Sequence, residues 1–375
     1  MRILIAGDYA PIGRIKDLIE KDADANPLSG FAGLLSSMDY SVVNLEAPME
    51  AGDKIKKSGP HLSSSPRSIS LLKDAGFGCC TLANNHIRDY GDDGVVNTIK
   101  ELERVGLDHV GAGKNLESAQ SILYKKIADN SIAIVNICEN EYSIATNNSA
   151  GAAPLDVVAT SLKIREASQK ASHVIVIVHG GHEHYQYPST RMVSVYRFFV
   201  EMGASAVINH HQHCFSGYEV YKGAPIFYGL GNFCFDRLST NYDTWYYGYA
   251  VELIVNEKTV EFNLYPYKQC KDIVGIEILE GNNNQFFQRL DEINNVIANP
   301  ELLESTFSSF VKSQKKKSII SIFSPYLSDY ARIAAGHHIL PYLLPKSKIR
   351  ALVNYIKCES HFDETILVLN DLLKD

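Results

Sequence analysis

The sequence predicts an α/β protein, and three observations predict it. Short apolar runs rich in β-branched residues alternate with stretches of helical spacing. Several of those runs stop abruptly at Asp, Glu, Asn or His, where ligands of open α/β sheets bind. At 375 residues, with 45% hydrophobic and 21% charged residues, the chain has the composition of an ordinary globular protein of one or two modules.

Taken in order, residues 2–6 read as a strand ending in Gly7-Asp8, followed by helices at 14–21 and 28–37. Residues 39–44 form a second strand, and Pro48 stops it just after Glu46. A polar loop, 50–66, leads to a helix at 65–75 with Ser65 as its cap and Pro66 in its first turn. The apolar run 75–82 then meets Asn84-Asn85-His86, and the whole stretch CCTLANNHIRDYGDDG (79–94) is the centre of the chain. Asp89, Gly91 and Gly94 mark a tight loop before a helix at 95–105. Taken alone, this segment is also what an Asx-turn and capping loop look like.

Further on, strands are expected at 108–111, 131–138, 173–178, 206–209, 217–222, 225–230, 247–255 and 259–267, with helices at 156–170 and 189–202. Near residue 280 the character changes to helical spacing, with a lysine run at Lys315–Lys317 and amphipathic segments at 348–357 and 363–373. The reading is therefore a first domain over 1–279 and a mostly helical region over 280–375.

The net charge of -7 supplies no broad basic surface, so no nucleic-acid partner is expected. The seven cysteines are odd in number and lack a CxxC pair, which fits small buried hydrophobes in a reducing compartment. The first residues, MRILIAGDYAP, lack the features of a signal peptide, and no stretch approaches a membrane span of about 20 apolar residues. A cytoplasmic location is the expectation.

Five strand ends deliver metal-ligand chemistry: Asp8, Glu46, Asn85 with His86, His179, and His211 with His213. Carboxylates and an amide oxygen suit hard divalent ions, and imidazoles suit Zn, Fe or Mn. A mixed nitrogen and oxygen set without thiolate points to a catalytic site, since structural zinc is usually closed by cysteines. Each item has an ordinary alternative. Asp8 can be a turn former, Glu46 a surface loop residue, and His179 a buried, satisfied histidine. It is their joint placement that argues for a site. His182 and His184 belong to its lining or rim, and His337-His338 read as a surface or packing pair. Arg191, Arg88 and Lys57 are candidate phosphate-holding cations, with Arg191 favoured. Tyr185, Tyr187, Tyr242, Trp245, Tyr246 and Tyr247 cluster near the expected mouth, as packing or as a stacking surface.

Six blocks carry a family resemblance. They are Gly7-Asp8, Asn44-Leu45-Glu46-Ala47-Pro48, Leu82-Ala83-Asn84-Asn85-His86 with Asp89-Tyr90-Gly91, His179 with Gly181 and Glu183, His210-His211 with His213, and Tyr228-Gly229-Leu230-Gly231-Asn232-Phe233. In that order they resemble the CapA family, the bacterial capsule or poly-γ-glutamate synthesis proteins of the metallophosphatase superfamily. The resemblance covers roughly residues 1–270.

It implies a calcineurin-like sandwich, two mixed β-sheets flanked by helices, with the helical C-terminal region as an extension. It also implies two divalent ions (Mn, Fe or Zn). Asp8 and His213 would hold one, Asn85, His179 and His211 the other, and Glu46 would bridge. His86 would be catalytic, and Asn84, Glu183, Arg191, His210 and Asn232 would meet the substrate. The implied reaction is phosphoester hydrolysis by a metal-activated water, on an anionic small molecule or polymer such as a phosphoester, polyglutamate or glycan. The alternative is a non-hydrolytic accessory protein of polymer synthesis or export. The chain departs from the superfamily pattern at Asp8-Tyr9-Ala10, where Asp-x-His is usual, and at Glu46, where the acid is usually Asp.

Overall fold

A computed structural model describes residues 1–375 apart from 58, 129, 238–239, 241, 258, 280–283, 324–345 and 373–375; of 284, 315–323, 348 and 372 it describes the backbone alone. His337-His338 and part of the Asn-rich turn before 285 therefore lie outside the described residues, as do the side chains of Lys315–Lys317.

Two mixed sheets carry the fold. The first contains β1 (Arg2–Ala10), β2 (Tyr40–Leu45), β3 (Cys79–Thr81), β4 (Asp108–Val110), β13 (Asn232–Phe235), β14 (Tyr247–Val255), β15 (Val260–Gln269) and β16 (Ile276–Ile278). Its order is β16-β15-β14-β1-β2-β3-β4, with β13 pairing to the second half of β1. The second contains β6 (Leu123–Ile127), β7 (Asn130–Cys138), β9 (His173–His179), β10 (Ala206–His210), β11 (Tyr218–Tyr221) and β12 (Ala224–Phe227), in the order β11-β12-β10-β9-β7-β6. A small hairpin joins β5 (Ala112–Gly113) to β8 (Gly151–Ala152).

Strand alternation explains the layers. Ile3 and Ile5 of β1 share a core with Ile134, Val176 and Ile208 of the second sheet. Leu4 and Ala6, pointing the other way, share a second core with α1 (Arg14–Lys21), α2 (Ser29–Leu35), α3 (Pro66–Ala75) and α4 (Gly91–Val105). On the outer face of the second sheet, α6 (Val157–Lys170) and α7 (Thr190–Glu201) bury Ile164, Met192, Tyr196 and Phe199. Both sheets are thus covered on both faces, which is why their central strands are apolar throughout. The expected sandwich of two mixed sheets with outer helices is what the chain forms.

Local differences from the sequence reading have physical causes. The helix expected from 95 begins at Gly91, because Asp92 and Asp93 in its first turn favour the positive helix end and Arg88 pairs with Asp92. The β6 edge strand alternates Leu123, Lys125 and Ile127 with Tyr124 and Lys126, and its lysines mask the apolar period. Strands β13 and β16 and the four-residue helix α5 (Leu116–Ala119) are too short to show a period. Ser65 caps α3 through a reciprocal box with Ser68, with Pro66 in the first turn as expected. All seven cysteines are buried and free.

The C-terminal helices are α8 (Asn284–Ile297), α9 (Pro300–Phe323), α10 (Lys346–Lys357) and α11 (Glu359–Leu372). Phe286, Leu290, Ile293 and Ile297 of α8 extend the core between the sheets. The start of α11 docks on the loop after β7. Glu139 accepts from Ser360 Oγ (2.9 Å) and Arg191 Nη2 (2.6 Å), and Arg191 Nε reaches Asp363 at 2.6 Å. Among the described residues no helix is long and apolar enough to cross a membrane.

The docking contact has a pH signature. Burial pushes the Glu139 carboxyl up, but the Arg191 guanidinium and Ser360 outweigh it and hold it at about 2, against an ordinary 4.5. Asp363, sharing the same guanidinium, is pushed up by burial and acts in the opposite sense. Glu139 dominates because its side chain is 3% exposed and has two donors. As pH falls the unfolded chain takes up this proton first, so the contribution of Glu139 is complete above about pH 4.5 and is lost toward about 2. We expect Glu139→Gln to weaken the docking by about 3 kcal/mol, the scale for removing one partner of a buried ion pair. That is roughly a hundredfold faster amide exchange across 346–372, corrected for intrinsic rates. Unchanged protection there would contradict the role given to Glu139.

Candidate metal centre

The carboxyl ends of β1, β2 and β3 meet those of β9 and β10 at one end of the sandwich. Asp8 does not follow β1 but lies inside it, at a register shift between its pairings with β2 and β13. The bulge turns its carboxylate toward the second sheet. Gly7 makes this possible: a Cβ there would sit 1.9 Å from the carbonyl oxygen of Gly231. Asp8 is fully buried. Its Oδ1 accepts from Asn44 Nδ2 at 2.7 Å, its Oδ2 accepts from the His211 amide at 3.1 Å, and His210 Nδ1 lies 3.3 Å from Oδ1. Burial works to raise its pKa, but His210, His179 and His213 outweigh burial and keep it well below the usual range.

Glu46, one residue past β2, is treated in the opposite way. It is fully buried and neither oxygen has a hydrogen-bond partner. Burial, followed by Asp8, pushes its carboxyl well above the usual range. Around Oε1 stand His86 Nε2 at 4.0 Å, His179 Nε2 at 4.0 Å and His213 Nε2 at 3.9 Å. Asp8, Glu46 and His213 each offer a ligand atom within 4.8 Å of the others, a possible metal site. Beside it, His179 Nε2 lies 3.1 Å from both Asn85 Oδ1 and His211 Nδ1. Separations of about 3.0–3.4 Å are the polyhedron edges expected for ligand bonds of about 2.1 Å.

The second-sheet candidate ligands are aimed by a turn. After β10 ends at His210, His211 and His213 take left-handed backbone angles (φ 92° and 55°). Such angles cost a non-glycine residue about 1–3 kcal/mol each. An extended His-x-His would turn its middle residue away by strand alternation; here a turn brings both imidazoles in, and Gln212 is held by the Tyr185 carbonyl at 3.1 Å. Outer partners fix the rings. Asn232 Oδ1 is 3.0 Å from His213 Nδ1, which leaves Nε2 facing Glu46. The donor set therefore fits divalent cations: two buried carboxylates, one without any partner, surrounded by imidazoles and an amide oxygen.

His86 stands at the edge of this set. Its Nδ1 is 2.7 Å from Asp89 Oδ2 and 3.1 Å from Lys57 Nζ, and Lys57 also pairs directly with Asp89. Burial works to raise the pKa of Asp89, but His86 and then Lys57 outweigh burial and hold it low. An ionised Asp89 only accepts, so Nδ1 carries the proton and Nε2 faces the centre. Burial lowers the pKa of His86, more than Asp89 raises it.

Several of the residues expected to meet a substrate have partners within the protein. Arg191 is spent on Glu139 and Asp363. Lys57 is 3% exposed and tied to Asp89, and Arg88 pairs with Asp92. Asn84 is fully buried, donating to the Leu45 carbonyl at 2.9 Å and accepting from the His86 amide at 3.1 Å, so it pins the loop. Asn232 and His210 are likewise buried, behind His213 and Asp8. Glu183 does face open space. It lines a cavity of about 500 Å³ beside His211, His184 and Tyr242. Of the expected aromatic group, Tyr242 lines that cavity, stacked on His184 at 4.1 Å, whereas Trp245 packs on His213. Asp89 was legible as a residue one turn from His86, but Lys57 comes from a polar loop with no period to reveal it.

The family description "Bacterial capsule synthesis protein PGA_cap" matches residues 2–237. The chain is 30% identical over 247 residues to "Capsule biosynthesis protein CapA" of Bacillus anthracis, covering 63% of this chain and 60% of that protein. It is 32% identical over 232 residues to "PGA biosynthesis protein CapA" of Bacillus subtilis (strain 168), covering 60% and 61%. It is 27% identical over 214 residues to "Probable polyglutamine synthesis accessory protein Rv0574c" of Mycobacterium tuberculosis, covering 52% and 56%. Among solved structures it is similar to a putative 5'-nucleotidase from Staphylococcus aureus (TM-score 0.46, 13% identity, 78% of this chain and 58% of that one). With that match spanning residues 2–237, the chain belongs to the bacterial capsule synthesis protein family PGA_cap.

Proposed function

We propose that this chain is a metal-dependent phosphoester hydrolase working in the synthesis of a capsule or polyglutamate-type polymer. The observation that carries the reading is the buried Glu46 carboxylate, without a hydrogen-bond partner and ringed by three imidazoles. Asp8 and His213 would hold one divalent ion, Asn85, His179 and His211 a second, and Glu46 would serve both. Ions bound there would neutralise phosphoryl oxygens and lower the pKa of a water.

The residues do the rest. Asn44, His210 and the His211 amide hold Asp8 in place, and Asn232 holds His213. Water adds to phosphorus through its oxygen, the bond from phosphorus to the alcohol oxygen breaks, and that oxygen takes a proton. His86 Nε2, held toward the site by Asp89 and Lys57 and bearing no proton in this tautomer, is the group placed to take a proton from the attacking water and pass it to that oxygen.

A second reading is a non-hydrolytic accessory role. Ala10 stands where an imidazole ligand is usual in the superfamily, and the Mycobacterium tuberculosis relative is described as a synthesis accessory protein.

Elemental analysis of the purified chain after reconstitution with Mn should find close to two ions. Glu46→Gln should lose them, yet melt no lower than the wild type in chelator, because neither Glu46 oxygen makes a hydrogen bond that the amide would forfeit. Wild type alone should gain stability with Mn, about 2.7 kcal/mol at a hundredfold excess over Kd. No bound metal would sink the centre. Hydrolysis of an aryl phosphate and an aryl phosphodiester tests the reaction. His86→Ala should lower kcat by about 10²–10⁴ with metal content unchanged. Metal without turnover of either ester would leave the accessory role.

A further inference from the structure

The cavity next to the metal centre has a chemistry of its own. It is about 500 Å³, within the usual range for small-molecule sites, and His211 belongs to both. Its near wall comes from the loops after β7 and β9. Its far wall comes from α9, α10 and α11, which lie beyond the segment that matches the family.

That far wall is held firmly. Phe310 of α9 stacks on Tyr185 with ring centroids 4.0 Å apart, and Phe307 packs on His182 at 5.2 Å. Glu359 accepts from the Asn140 amide at 2.9 Å, and Asn354 donates to Glu141 at 3.4 Å. With the Glu139, Arg191 and Asp363 contacts already described, the C-terminal helices form a fixed surface facing the metal centre.

The cavity's charge has one sign. Glu141, Glu183 and Glu364 line it, and among the described residues no lysine or arginine does. Arg191 and Lys57, which brace the residues around the centre, are bound to carboxylates of their own. Aromatic faces complete the lining: Tyr242 stacks on His184, and Tyr355 stacks on His361 at 4.6 Å and 6°. His182 also lines the cavity; it is 5% exposed and its Nε2 has no hydrogen-bond partner. Carboxylates combined with tyrosine and phenylalanine rings are the means by which proteins recognise ammonium groups. The same lining repels a chain of carboxylates.

We propose that this cavity receives the leaving group of a phosphoester whose alcohol carries a protonated amine, with Glu141, Glu364 and the Tyr242 and Tyr355 rings as its specificity-determining wall. The proposal rests on the hydrolase reading for the reaction, but not for the binding. The polyanion itself would then not occupy the cavity; a small amino-bearing phosphoester would.

The test uses the full chain loaded with Mn and three esters: 2-aminoethyl phosphate, propyl phosphate and 2-carboxyethyl phosphate. An aryl phosphate serves as the general substrate. Both kcat/KM and calorimetric binding are measured. The amino ester should exceed propyl phosphate by roughly tenfold or more, the scale of a hydrogen bond to a charged group, with the carboxylate ester the poorest. Glu141→Gln and Glu364→Gln should each cut the amino-to-propyl ratio by roughly tenfold. Turnover of the aryl phosphate with no preference for the amino ester in rate or binding would overturn the cavity proposal and leave the hydrolase reading standing. No turnover of any ester, with preferential binding of the amino ester that Glu141→Gln abolishes, would do the reverse. Absence of both would remove both.

Discussion

Asp8 and Glu46 are two carboxylates, both fully buried, with ligand oxygens within 4.8 Å of each other and of an imidazole nitrogen of His213. Taking one such charge out of water costs several kcal/mol, and a second one beside it adds repulsion. A fold that carries both must bring compensating groups to the same place. The chain does so from opposite sheets. The bulge in β1 turns Asp8 inward, the close approach of Gly7 to Gly231 permits the bulge, and the turn after β10 spends backbone strain to deliver His211 and His213. Much of the sandwich's geometry at this end follows from the need to surround two acids with nitrogen.

The two acids are nevertheless not equivalent. Asp8 receives an amide proton, an Asn44 proton and the field of His210, enough to keep it ionised. Glu46 receives no hydrogen bond and is pushed the other way. A protein interior seldom leaves a carboxylate in that state unless something outside the chain completes it. The asymmetry separates a residue that the protein supports from one that it keeps available. Asp89 belongs with Asp8 in this respect: it is buried, fully engaged by Lys57 and His86, and works by orienting another side chain.

Much of this was legible in the residues. The strands are β-branched and buried on both faces, so they stand out without alternation, and the residues at their ends are short polar side chains of recognisable chemistry. The side chains of Asp8, Glu46, Asn85, His179, His211 and His213, expected as ligands, lie together at one end of the sandwich. What was not legible depends on tertiary partners. Arg191 has the right charge and the right helix for a phosphate contact, but Glu139 and Asp363 claim it, and Asp363 lies 172 residues away. Asn84 and Asn232 carry the right groups and face the backbone or a ligand ring. Lys57 shows the same: a loop lysine that reads as a phosphate-holding cation is 3% exposed and claimed by Asp89. A side chain's identity sets what it can bond to, but only packing decides which candidate partner gets it.

The C-terminal helices illustrate the same point at larger scale. Read by sequence they are amphipathic segments beyond the recognisable blocks, with no motif. In space, Ser360 and Asp363 bind the same Glu139–Arg191 pair that braces the loop after β7, and Phe307 and Phe310 cover His182 and Tyr185 in the loop after His179. The segment that matches the family carries the candidate metal ligands, while the segment beyond it builds half of the cavity next to them. The candidate centre and the wall facing it are therefore built by different parts of the chain. That division follows from the physics of each part. Metal ligands must hold position to a few tenths of an ångström and so sit on sheet ends, whereas a cavity wall needs only shape, charge and a firm anchor, which helices docked through the Glu139–Arg191–Asp363 cluster and the Phe307 and Phe310 rings provide.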